Sequence, residues 1–100
     1  MATVENPGSA FDIALSGDVD LAREAELEGL REAFESSGQT STVVDLSEVT
    51  FFDSAGLNFL VALRQLAHSR GGSIVLRRPT SLVLRLLEIV GLQGAFELET

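Results

Sequence analysis

The sequence predicts an α/β domain, a mixed and mostly parallel sheet of about four to five strands with helices packed on it. Three observations predict it. Segments with strand periodicity alternate with segments of helical periodicity along the whole chain. The run Thr42-Val43-Val44-Asp45-Leu46 is apolar or β-branched at nearly every position, as expected of a strand covered on both faces. Each connection between successive strands is long enough to hold a helix, which parallel pairing with right-handed crossovers requires.

In chain order, Thr3-Val4 reads as the start of a short edge strand and Asn6-Pro7-Gly8-Ser9 as a turn. Phe11, Ile13 and Leu15 alternate with Asp12, Ala14 and Ser16, giving a strand with one apolar face. Gly17-Asp18-Val19-Asp20 ends that strand and offers Asp20 as a helix N-cap. A helix is expected over 21–35, with Leu27, Leu30 and Phe34 inward and an acidic side in water. Ser36-Ser37-Gly38-Gln39 stops it. After Leu46, Ser47-Glu48-Val49-Thr50 reads as a loop, and Phe51-Phe52 returns to the core. The second helix is expected over 54–69. Leu57, Phe59, Leu60, Val61, Leu63 and Leu66 make it the most buried of the helices. Ser73-Ile74-Val75-Leu76 is another strand. A third helix starts at Pro79-Thr80-Ser81, takes its apolar side from Leu82, Leu86, Leu87 and Val90, and ends at Gly91 as a C-cap. Phe96 and Leu98 indicate one last strand.

One hundred residues are expected to form one domain, 1–100, with a core over about 10–98. At 45 % hydrophobic residues the chain is globular. No apolar run reaches the roughly 18 residues of a membrane span, and Met1-Ala2-Thr3-Val4-Glu5 lacks a signal-peptide pattern. These features lead to a cytoplasmic protein without membrane insertion. Cysteine is absent, which removes disulfides, thiolate metal sites and thiol nucleophiles. Residues 1–60 hold twelve acids and two arginines, residues 61–100 five arginines and three acids. A net charge of −8 repels phosphate backbones and argues against direct nucleic-acid binding.

Asp53-Ser54-Ala55-Gly56 marks a strand-to-helix turn with Asp53 or Ser54 at the cap. A serine there either caps the helix or offers a seat for phosphate, since a helix N-terminus suits an anion. Catalysis finds no constellation. The single histidine, His68, lies fourteen residues beyond Ser54, roughly 21 Å along one helix at about 1.5 Å per residue. A nucleophile and its base should lie within about 3 Å. Lysine is absent, and no phosphate-loop or dinucleotide-binding pattern occurs. Asp18 and Asp20 are better read as a surface acid and a cap than as metal ligands. The expectation is a non-enzyme with no metal and no cofactor.

Four segments together resemble the STAS domain of bacterial anti-sigma factor antagonists. They are Ser16-Gly17-Asp18-Val19-Asp20, then Val43-Val44-Asp45-Leu46-Ser47 leading into Phe52-Asp53-Ser54-Ala55-Gly56-Leu57. After them come Gly71-Gly72 before a short strand, and Pro79 with Leu82-Val83-Leu84-Arg85-Leu86-Leu87-Glu88 and Gly91-Leu92. The resemblance implies a protein that binds an anti-sigma factor serine kinase, releases a sigma factor, and is switched off by phosphorylation and restored by a serine phosphatase. It puts Ser54 at the phosphorylated serine. Asp20, Asp53, Ser54, Ala55, Gly56 and Asn58 then belong to the partner-binding surface of a monomer or weak dimer. Ala55 stands where the family often has Ser or Thr, and Asn58 where glycine is common. The sequence ends soon after the last expected strand, without the family's closing helix. The alternative implied by the same fold is an accessory STAS subunit of a lipid or anion transport system.

Overall fold

The structure is a computed structural model that describes residues 2–5 and 11–100. The turn expected at Asn6–Ser9 lies outside the described residues. The elements are β1 (Ala2–Glu5), β2 (Phe11–Val19), a 3-10 turn (Leu21–Arg23), α1 (Glu24–Ser37), β3 (Thr42–Phe52), α2 (Ser54–Ser69), β4 (Ile74–Arg77), α3 (Ser81–Ile89) and β5 (Glu97–Glu99). One sheet runs in the order β1-β2-β3-β4-β5. The β1–β2 pair is antiparallel and the remaining pairs are parallel.

Strands that follow one another in space as in sequence, joined by right-handed crossovers, place every helix on the same face. The burial pattern agrees. Phe11, Ile13 and Leu15 of β2, Val44 and Leu46 of β3, and Ile74 and Leu76 of β4 are buried, while Asp12, Ala14, Val43, Asp45, Val75 and Arg77 between them are only half-buried. The run Thr42–Leu46 is therefore covered on one face, where two were expected.

Three further expectations need correction. Ser47–Thr50 continues β3 and is not a loop, because Glu48 and Val49 pair with Ser16 and Gly17 after β3 takes one extra residue in a bulge. Phe51 is exposed, and of the Phe51-Phe52 pair Phe52 alone is in the core. In α3 the buried stripe is Val83 and Leu87 with Leu86 packed beside it, whereas Leu82 and Val90 stay exposed. A helix of nine residues buries one narrow stripe, and Leu82 lies about 100° around the axis from Val83. The second helix begins and ends where expected, and contributes Phe59, Leu60, Leu63 and Ala67 to the core.

Arg70 joins two elements: its guanidinium donates to the carbonyls of Phe34, Glu35 and Gln39 and sits 5.4 Å from the Phe34 ring centroid. It thus satisfies orphan carbonyls at the end of α1 while adding a cation–π contact.

On the open face, burial pushes the Asp45 carboxyl up. Hydrogen bonds from the Ser47 N–H (2.9 Å) and Oγ (2.7 Å), with the Arg78 guanidinium, outweigh it and hold the group below the ordinary aspartate value. A depressed folded value stabilises the fold above the unfolded pKa, and that contribution disappears as pH falls through the folded one. Asp45→Asn should accordingly cost about 1–2 kcal/mol at neutral pH. The gap to wild type should close at acid pH, below the ordinary aspartate range, as Asp45 itself protonates. Urea midpoints at both pH values measure this, and a gap independent of pH would refute it.

Candidate functional site

The site forms where β2 and β3 end side by side. Asp18 pairs with Phe51 and Val19 with Phe52, and the Asp53 N–H donates to the Val19 carbonyl at 3.3 Å. Both chains then turn into helical structure, so two helical starts share this edge. Carboxyl ends of strands are where open α/β sheets place their ligands.

Each start is capped by an aspartate in extended conformation. Asp20 Oδ1 accepts from Ala22 N–H at 3.1 Å, and Asp53 Oδ1 accepts from Ala55 N–H at 2.8 Å. Arg23 fixes the first start by donating to the carbonyls of Ser16 (2.7 Å) and Asp18 (2.8 Å). Its hydrogen bond to Glu26 raises its pKa, so the latch stays charged. Thr50 Oγ1 donates to Asp18 at 2.9 Å and ties the two strand ends together.

The choice between the two candidate caps of α2 falls on Asp53, so capping does not consume the Ser54 hydroxyl. Ser54 occupies the first helical position and is exposed. Asn58, one turn on along the same side of the helix, is exposed as well. Ala55 is half-buried, and Gly56 is buried. A Cβ on Gly56 would meet three ring carbons of Phe52 at 2.6–2.9 Å, so its part in any docking surface is to let α2 settle on the sheet.

A family model described as "Mlab, STAS domain" matches residues 2–100. The chain belongs to the STAS domain family. This STAS domain is similar to an anti-sigma-B factor antagonist of Listeria monocytogenes, at 27 % identity over 89 residues, covering 89 % of this chain and 78 % of the relative. A crystal structure of an anti-sigma factor antagonist from Mycobacterium paratuberculosis superposes with a TM-score of 0.87 at 25 % identity, covering 99 % of this chain and 84 % of that one. The phosphorylated form of the Bacillus cell fate determinant SpoIIAA gives a TM-score of 0.79 at 17 % identity, covering 100 % and 92 %. That last likeness establishes the fold.

In this STAS domain the strand ends gather Asp20, Asp53, Ser54 and Ala55, with Asn58 a turn further along α2. His68 lies at the opposite end of α2. Among the described residues no cluster of His, Cys, Asp or Glu is arranged to hold a metal ion. Nor is any helix long and apolar enough to cross a membrane. Sequence reading missed Leu21 and Phe51, which are 67 % and 47 % exposed at this same edge. Leu21 reads as a helix residue and Phe51 as half of an apolar pair. The signal that could have found Phe51 is strand alternation, which turns one member of a Phe-Phe pair outward.

Proposed function

We propose that this protein is an anti-sigma factor antagonist that docks on an anti-sigma factor serine kinase through the edge carrying Asp20, Asp53, Ser54, Ala55 and Asn58. Phosphorylation of Ser54 releases it from the kinase, and a serine phosphatase restores it. The observation that carries the reading is the exposed Ser54 hydroxyl at the first position of a helix already capped by Asp53. Relatives named as antagonists, and a phosphorylated protein of the same fold, support it.

In the transfer, Ser54 Oγ bonds to the γ-phosphorus of ATP, the bond from that phosphorus to the β,γ-bridging oxygen breaks, and ADP leaves. The hydroxyl proton passes to a base on the kinase. The product carries about −1.5 to −2 charges. At the start of α2 the helix dipole favours that charge, so the fold persists. In a docked complex the same charge is carried, beside Asp53, into a contact that excludes water.

Mass spectrometry after incubation with ATP and the anti-sigma factor kinases of the same genome should find phosphate on Ser54 and none on the Ser54→Ala variant. Ser54→Ala should still retain the kinase in a pull-down, and Ser54→Asp should lose it. Phosphate at another residue, or equal retention by the Asp variant, would sink the reading. Co-purification with a permease or transport ATPase, without any kinase, would favour the transport-subunit alternative.

A further inference from the structure

Leu21 and Phe51 are two of the large apolar side chains this fold leaves in water, at 67 % and 47 % exposure. Each lies two residues from one partner of the Val19–Asp53 backbone bond that joins the strand ends. At about 3.3–3.6 Å per residue, both Cα atoms therefore sit within about 7 Å of that bond's residues, on the edge that carries Ser54. Around them the charge is acidic. Asp18, Asp20, Glu48 and Asp53 belong to this edge, and the nearby Arg23 is already held by Glu26 and two carbonyls. Exposed apolar side chains on an edge that also carries these carboxylates suit a partner that offers apolar contacts together with basic groups.

We propose that Leu21 and Phe51 are the apolar anchors of this surface, received by a pocket on the kinase that is lined by apolar side chains and rimmed by Lys and Arg. The proposal rests on the antagonist reading and adds to it. It also resolves a difficulty in the switch. A phosphate on an acidic surface should strengthen attraction to a basic partner, so charge alone does not expel it. Docking on two apolar anchors excludes water from the edge, and a dianion brought into a dehydrated interface breaks it.

The test is calorimetric titration of the full chain into each anti-sigma factor kinase of the same genome, loaded with ADP and magnesium. Leu21→Ala and Phe51→Ala should each weaken binding by about tenfold or more. Ile89→Ala, equally exposed at 69 % but on α3, should stay within about twofold of wild type. Phe51→Lys should weaken binding further than Phe51→Ala, because it faces the basic rim. All four substitutions fall at exposed positions, and unchanged thermal melts check that the fold is intact. If both alanine variants bind like wild type while Ser54→Asp does not bind, the antagonist reading stands and the anchors fall. If no kinase binds the wild type, the reading falls and takes the anchors with it. A wild-type dimer that either alanine variant converts to monomer would assign the patch to a second copy and overturn the proposal.

Discussion

Gly72→Ala is expected to destabilise the protein by about 3 kcal/mol, at the upper end of what overpacking costs. The added Cβ would lie 1.9 Å from the Thr40 carbonyl oxygen and 2.4 Å from its carbon. Both are backbone atoms, so no side chain can rotate away. The segment leaving α2 and the segment entering β3 must separate instead. That strains the Gly72 N–H bond to the Ala67 carbonyl (2.8 Å) and the Thr42 N–H bond to the Ser73 carbonyl (3.1 Å), together with the Ser73 N–H bond to Ser41 Oγ (3.0 Å). Domains of this size hold about 5–15 kcal/mol in all. The urea midpoint should fall by roughly 2 M for a slope near 1.5 kcal/mol per M. A midpoint shift below about 0.5 M would mean that the strand entrance is plastic.

Why some of this fold was legible and some was not follows from the range of the interactions involved. The ends of α2 are local events. An aspartate cap sits before Ser54, and the helix stops at Arg70 and Gly71, where Gly71 takes a left-handed φ of 75°. Both are written in neighbouring residues. The continuation of β3 through Ser47–Thr50 depends on β2, whose residues Ser16–Asp18 pair with it while β3 bulges twice to keep the register. A polar tetrapeptide looks like a loop until that partner is known. The 3-10 turn at Leu21–Arg23 has the same origin, because Arg23 is pulled back to the carbonyls of Ser16 and Asp18. At the site, the caps Asp20 and Asp53 could be read because capping uses residue types that stand out, and Ser54 stands directly after one of them. Alternation marks one of Phe51 and Phe52 as outward, but which one depends on the face the helices cover, and the exposure of Leu21 depends on the 3-10 turn that Arg23 holds. The close approach at Gly56 was equally hidden, and it supplies a second sharp test.

Gly56→Ala and Gly29→Ala make that test together. Both glycines lie within helices, α2 and α1, where alanine is intrinsically favoured by about 0.8–1.0 kcal/mol. At Gly29 a Cβ meets nothing within 4 Å, so the substitution should stabilise the domain by close to that amount. At Gly56 the same methyl enters the Phe52 ring at 2.6–2.9 Å. Phe52 is only 4 % exposed, and a ring packed in the core cannot swing aside as a surface side chain would. An overpacking cost of about 1–3 kcal/mol outweighs the helix gain. The net effect should be a loss of up to about 2 kcal/mol, opposite in sign to Gly29→Ala. Adding Phe52→Leu on the Gly56→Ala background removes the colliding ring. The double variant should therefore be more stable than the sum of the single effects predicts, with a coupling of about 1 kcal/mol. Urea unfolding of the four variants measures this. Strict additivity would show that α2 does not rest on Phe52. Coupling would show that the glycine after Ser54-Ala55 is there so that Phe52 can hold the start of α2, with Ser54 on it, against the end of β3.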